Sequence, residues 1–248
     1  MTGDLVYGRR AVLEALRGRR EVLELWASER ALAAEPRLVD AKAKPRPERE
    51  LSERAGTRDH QGVVARVEPF RYADAYELAA VDRPLLAVLD RVTDPQNLGA
   101  VCRSADGAGA TGVVVPAHGS AIVTAAVARA SAGAVEHLPI AVVTNLARYL
   151  EDVKGPELWV YGTAGDSART MWETDLSGGV ALVFGSEGKG LRPLVRRSCD
   201  ALVAIPLTGS VESLNVGVAA ALVLYEARRQ RGAQSSGDSS PGRGGARG

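Results

Sequence analysis

The chain has 248 residues, a formal net charge of +1 and 46% hydrophobic residues, enough apolar content for one large domain or two smaller ones with packed cores. Cys102 and Cys199 are its only cysteines, too few for a disulfide framework or a thiolate metal site, and their scarcity implies a reducing, cytoplasmic compartment. His60, His118 and His137 lack metal-ligand spacing, MTGDLVYGRR has no apolar signal core, and no apolar run reaches the roughly 20 residues that a membrane helix needs.

From Leu5 to about Pro69 the pattern predicts a small α/β module: a helix at Gly8 to Leu16, a strand at Val22 to Ala27, a helix near Arg30 to Ala41 and a strand at Gly62 to Val67. The segment AKAKPRPERE within it reads as a solvated loop, because its two prolines break a helix and its mixed charge does not pack. Residues 71–83 form a linker with helical character in YADAYELAAV.

At Pro84 the pattern changes to short, wholly apolar runs, LLAVLD, GVVV, PIAVV, LWVYG, VALVFG and ALVAIP, separated by helical stretches. Strands without polar alternation are buried on both faces, which predicts a parallel sheet covered by helices. The expected organisation is thus a module at 1–70, the linker, a larger α/β domain at 84–231, and a disordered tail at 232–248, which holds no apolar side chain larger than alanine.

Three segments carry the chemistry. In TDPQNLGAVCRSADGAG a helix follows the first strand of the large domain, with Leu98, Val101, Cys102, Ala105 and Ala108 as its buried stripe and Asn97 placed to cap it. Arg103 stands about 200° around the helix from Val101 and faces away from that stripe. In FGSEGKGL an apolar strand ends at Gly185, and Glu187 lies in the turn that follows. The spacing matches neither a phosphate-binding P-loop nor a dinucleotide fingerprint. In IPLTGSVESLNVGVAAALVLYE a small-residue turn opens a helix at Ser213, Leu214 and Asn215, and apolar residues cover most of its circumference. A helix of that kind is buried on more than one side, against its own sheet and a partner subunit, so a homodimer through the large domain is expected. Turns of this composition leave backbone N–H and C=O groups open to grip a flat heterocycle.

In this order the three segments resemble the motifs of the SpoU/TrmH group of the SPOUT superfamily, RNA 2'-O-ribose methyltransferases, and VYGRRAVLEAL and HQGVVARV resemble the L30e-like substrate-binding domain of one branch. The branch most resembled is that of the bacterial 23S ribosomal RNA guanosine 2'-O-methyltransferases. The resemblance implies a deep trefoil knot in the large domain, S-adenosylmethionine as methyl donor, RNA as partner and no metal. Carried over by position, Gly185, Ile205 and Leu214, with Thr163 and Leu207, would line the cofactor pocket; Asn97, Arg103, Glu187, Ser213 and Asn215 would form the catalytic set. Lys189 and Gly217 depart from residues frequent in the group. Arg103 could act as base, or orient a phosphate and stabilise alkoxide charge. Two other functions stay open: a tRNA or resistance-type rRNA 2'-O-methyltransferase, and a non-catalytic RNA-binding protein using Arg9, Arg10, Arg17, Arg19 and Arg20.

Overall fold

A computed structural model describes residues 3–237. The amino-terminal module comprises β1 (Asp4–Tyr7), α1 (Arg9–Ala15), β2 (Val22–Ala27), α2 (Glu29–Ala34), α3 (Pro36–Asp40), β3 (Lys44–Pro45), α4 (Glu48–Ala55) and β4 (Val63–Val67). Its sheet has the order β1-β4-β2-β3, with β4 antiparallel to both neighbours and β3 parallel to β2. Strand β1 and helix α4 were not expected. The single helix expected near Arg30 to Ala41 is two, because Pro36 lacks the N–H that a continuing helix would use and instead starts the second one.

The loop expected over AKAKPRPERE is a correction. Lys44–Pro45 pair with Trp26 and Ala27, and the next helix begins at Glu48. Both prolines are accommodated: Pro45 lies on a sheet edge, where a missing donor is harmless, and Pro47 sits just outside the helix. Leu51 is fully buried against Trp26 and Val64, while Arg49–Glu53 and Arg54–Glu50 pair across successive turns of the exposed face.

After α5 (Ala75–Ala79) the larger domain runs β5 (Leu85–Asp90), α6 (Pro95–Ala108), β6 (Gly112–Pro116), α7 (Ala125–Ala130), β7 (Ile140–Val143), α8 (Leu146–Val153), β8 (Trp159–Thr163), β9 (Val180–Gly185), α9 (Pro193–Ser198), β10 (Ala201–Val203) and α10 (Val216–Gly237). All six apolar runs are strands of one sheet, ordered β10-β8-β9-β5-β6-β7 and parallel at every pairing. Alternate residues serve two cores: Leu85, Ala87 and Leu89 pack with α6 and α10, and Leu86 and Val88 with α8 and α9. The chain steps outward from β5 through β6 to β7, then returns to the other side of β5 through β8 and β9. In open parallel sheets such a reversal leaves a crevice at the carboxyl ends of the strands, and ligands bind there.

The expected stripe of α6, Leu98, Val101, Cys102, Ala105 and Ala108, is buried and Arg103 is exposed. Asn97 is not the cap. Asp94 holds that place, its carboxylate accepting from the Gln96 backbone N–H at 2.8 Å, with Pro95 in the first turn, so the Asn97 side chain is left to pair elsewhere. Helix α10 continues through Arg231, where the tail was expected to begin, to Gly237; residues 238–248 lie outside the described residues.

The two sheets are joined through a buried ion pair. Arg20, on the turn before β2, donates from Nε to Glu136 at 3.0 Å, also reaches Asp4 and the Glu68 carbonyl, and lies over the Phe70 ring. His137 meets Glu14 at 3.0 Å and Arg129 meets Asp59 at 3.1 Å.

Candidate active site

The crevice holds a cavity of about 390 Å³ among the ends of β8, β9 and β10 and the start of α10. All five residues expected to line a cofactor pocket, Thr163, Gly185, Ile205, Leu207 and Leu214, line it, as do Glu187 and Ser213. The turn after β9 is tightly folded. A Cβ on Gly185 would lie 2.2 Å from the Gly190 carbonyl carbon and 2.5 Å from the Leu191 nitrogen, so only glycine lets the strand pass beneath its own turn. The Gly190 N–H donates to the Ser186 carbonyl at 2.9 Å and closes that turn.

One anchor was missed in the sequence. Asp90, fully buried at the end of β5, accepts from the Arg192 backbone N–H at 2.8 Å and from its Nε at 2.6 Å. This clamps the far end of the Gly185 turn to the neighbouring strand, and two hydrogen bonds satisfy a carboxylate that would otherwise be costly to bury. A signal was present: Asp90 is the one charged residue in the run LLAVLD.

At the rim three side chains from separate elements converge. Asn97 donates from Nδ2 to Glu187 Oε1 at 3.1 Å; Asn215 donates from Nδ2 to the same oxygen at 2.6 Å and to Asn97 Oδ1 at 2.8 Å. Asn215 Oδ1 in turn accepts from the Gly217 N–H at 2.9 Å. Asn215 therefore caps α10, and one side chain both starts the helix and ties it to the other two motifs. Gly217 lies where a Cβ would be 2.8 Å from Ala100 Cβ, so glycine permits close approach of α10 to α6.

Arg103 is not part of this cluster. Six residues beyond Asn97 it lies about 9 Å farther along α6 and on another side of the helix. It lines a separate cavity with Arg10, Glu14, Arg37, Asp106 and His137. On α10, Val218, Leu222 and Tyr225 are exposed by 49%, 41% and 51%, while Val216, Ala220, Val223 and Leu224 are buried.

Neither thiol is suited to nucleophilic chemistry, since burial pushes both Cys102 and Cys199 up to about 12. Among the described residues no group of three or more His, Cys, Asp or Glu side chains converges as metal ligands, and no helix is long and apolar enough to cross a membrane.

The fold and crevice define a class, an α/β SPOUT-type transferase domain behind a small substrate-binding domain. The SpoU rRNA Methylase family profile matches residues 84–225, and the profile for RNA 2'-O ribose methyltransferase substrate binding matches residues 5–73. The chain belongs to the SpoU rRNA methylase family and is an S-adenosylmethionine-dependent RNA 2'-O-methyltransferase. It is 44% identical over 247 residues to the 23S rRNA (guanosine-2'-O-)-methyltransferase RlmB of Pseudomonas syringae, covering 93% of this chain and 97% of that one. To RlmB of Shewanella oneidensis it is 41% identical over 240 residues, covering 92% and 98%. The SpoU methyltransferase AviRb from Streptomyces viridochromogenes, solved with the cofactor AdoMet, superposes with a TM-score of 0.75 at 28% identity, covering 92% of this chain and 89% of that one.

The crevice fits that cofactor. Ile205, Leu207 and Leu214 supply apolar wall, and added Cβ atoms on the lining glycines Gly165, Gly188 and Gly190 would meet nothing within 4 Å, so backbone groups face open space.

Proposed function

We propose that this enzyme methylates the ribose 2'-OH of a guanosine in 23S ribosomal RNA, in the cytoplasm and as a homodimer, with Asn97, Arg103, Glu187, Ser213 and Asn215 as its catalytic set. The observation that carries the reading is the convergence of Asn97, Glu187 and Asn215 on the rim of the cavity that Gly185, Ile205 and Leu214 line. Identity above 40% along nearly the whole length of RlmB proteins supports the choice of RNA. In this reading residues 1–70 are the L30e-like unit that recognises the RNA, 71–83 the linker, and 84–231 the knotted transferase.

S-adenosylmethionine supplies a methyl group on a sulfonium, a leaving group that needs no activation. The chain must then orient the ribose and stabilise charge on its oxygen. Glu187, held by two amides, fixes the relative positions of the second and third motifs, so that the donor pocket and the rim move as one body. A guanidinium holds its proton at neutral pH, so Arg103 orients the target phosphate and stabilises the developing alkoxide, with the proton passing to phosphate or water. Arg103 lies off the crevice, and the exposed Val218, Leu222 and Tyr225 offer an apolar face for a second copy. A partner subunit packed there would complete the site.

Purified protein, labelled S-adenosylmethionine and unmethylated 23S rRNA test this directly. Label should enter one guanosine, a 2'-deoxy residue at that position should block transfer, and Arg103→Ala should abolish transfer while leaving cofactor affinity intact. Methylation of the deoxy substrate would refute ribose chemistry. Absence of cofactor affinity in calorimetry would return the protein to the non-catalytic RNA-binding class.

A further inference from the structure

A second cavity lies away from the cofactor crevice. About 800 Å³ in volume, it is lined by Arg9 and Arg10 of α1, Arg30 of α2 and Arg58 from the module, and by Gln96 and Arg129 from α6 and α7 of the transferase domain. Elsewhere the arginines of this chain are commonly paired: Arg17, Arg20, Arg37, Arg46, Arg49, Arg54, Arg66, Arg148, Arg192, Arg196 and Arg229 each meet a carboxylate. In the cleft Arg9, Arg10, Arg30 and Arg58 make no ion pair among the described residues, and only Arg129 does, with Asp59. One carboxylate, Glu48, faces the same space, and it lies 3.7 Å from His60. The Nε of Arg9 is buried with no hydrogen-bond partner. A buried donor without an acceptor is costly, and such a group marks a place where an acceptor from outside the chain would bind.

The position of the cleft points the same way. Gln96 on its wall is the residue before Asn97, so the cleft opens beside the rim of the cofactor crevice. Arg10 and Ala132 line both this cleft and the cavity that contains Arg103. The two cavities therefore adjoin, with Arg30 and Arg58 on one, Arg103 on the other and Arg10 on both. Unpaired arginines along a groove suit phosphodiester oxygens, for which their planar donors have matching geometry. The charge is local, as it must be in a chain whose net charge is +1.

We propose that this interdomain cleft is the bed for the RNA backbone flanking the methylated nucleotide, with Arg9, Arg10, Arg30 and Arg58 on its phosphates, and that the strand leaves it past Arg10 to reach Arg103. The inference rests on the RNA methyltransferase reading and adds the residues that grip the substrate. Arg30 and Arg58 are exposed, so changing them leaves the core untouched.

The experiment measures binding of unmethylated 23S rRNA transcript from 0.05 to 0.5 M salt for the parent protein, the double variant Arg30→Gln, Arg58→Gln and the control Arg148→Gln, whose arginine lies on the exposed face of α8. Each lost phosphate contact lowers the slope of log K against log salt by about 0.7 to 0.9, so the double variant should lose about 1.5 in slope and on the order of 20-fold in affinity near 0.15 M. The control should match the parent protein, and cofactor affinity should be equal in all three. A double variant with the parental slope, or a control that loses as much, overturns the cleft assignment. If the parent protein binds this RNA but transfers no methyl group to it, the methyltransferase reading fails separately, whatever the arginines do.

Discussion

Asn215 combines two tasks that substitutions can separate. Its carbonyl oxygen caps α10 through Gly217, and its amide nitrogen bridges Glu187 and Asn97. Asn215→Ala removes both. Loss of the cap costs about 1 kcal/mol, and the two donated bonds, at an exposed site, contribute about 0.5 kcal/mol each. The sum of about 2 kcal/mol corresponds to a fall in Tm of about 4 to 8 °C for a protein of this size. Asn215→Ser keeps a capping oxygen and should lose about half as much. Asn215→Asp also keeps the cap, but it places a carboxylate where the amide now lies 2.6 Å from Glu187 Oε1. Two like charges at that separation cost about 1.6 kcal/mol in a water-like surrounding, and salt screens the repulsion. Thermal unfolding of the three variants at 0.05 and 0.5 M NaCl reads these contributions, with the Asp deficit alone shrinking at high salt. Single-turnover transfer should fall in all three. An Ala variant as stable as Ser would remove the cap, and an Asp deficit that ignores salt would remove Glu187 from the neighbourhood of Asn215.

Gly185→Ala should abolish calorimetric cofactor binding while the protein stays folded, because the new Cβ would stand 2.2 Å from backbone that lines the cavity. Glu136→Ala leaves Arg20 buried without its main partner, and denaturant titration should register a loss of about 3 to 5 kcal/mol, whereas a loss under 1 kcal/mol would show the pair to be solvated. Leu222→Glu should convert a dimer to a monomer in sedimentation; a parent protein that already sediments as a monomer at micromolar concentration removes the proposed interface. With Cys199 pushed up to about 12, thiolate at pH 8 is on the order of one part in ten thousand. Labelling by a thiol reagent should therefore be slow in the native state and rise with pH, and two thiols should react at once in denaturant.

Much of the larger domain is legible in the local pattern of its residues. Six apolar runs without polar alternation had to be strands buried on both faces, and all six are, in parallel. The spacing of Leu98, Val101, Cys102, Ala105 and Ala108 fixed the inner face of α6 and with it the exposure of Arg103. The expected pocket residues fall together because they lie on the chain that leaves β8, β9 and β10 or enters α10, and in a parallel sheet the carboxyl ends of the strands share one side. The amino-terminal module was less legible. A two-residue strand and an amphipathic helix hidden behind two prolines depend on partners far along the chain, Trp26 for the one and Leu51 packed on Val64 for the other.

The pairing of polar side chains, by contrast, follows from the packed fold. Whether Asp90 is a surface charge or the clamp of the Gly185 turn depends on Arg192, 102 residues away. Whether Asn97 caps its own helix or joins the rim depends on Asp94 taking the cap and on Glu187 and Asn215 arriving from two other elements. The arginines of the interdomain cleft look in the sequence like the solvated charges of separate helices and loops. What distinguishes Arg9, Arg10, Arg30 and Arg58 is that, once the two sheets have docked, they line one cleft with a single carboxylate, Glu48, on its wall. Burial is legible in a sequence because hydrophobic periodicity is local, whereas the partners of a charged side chain are fixed by long-range approach, which no local pattern encodes.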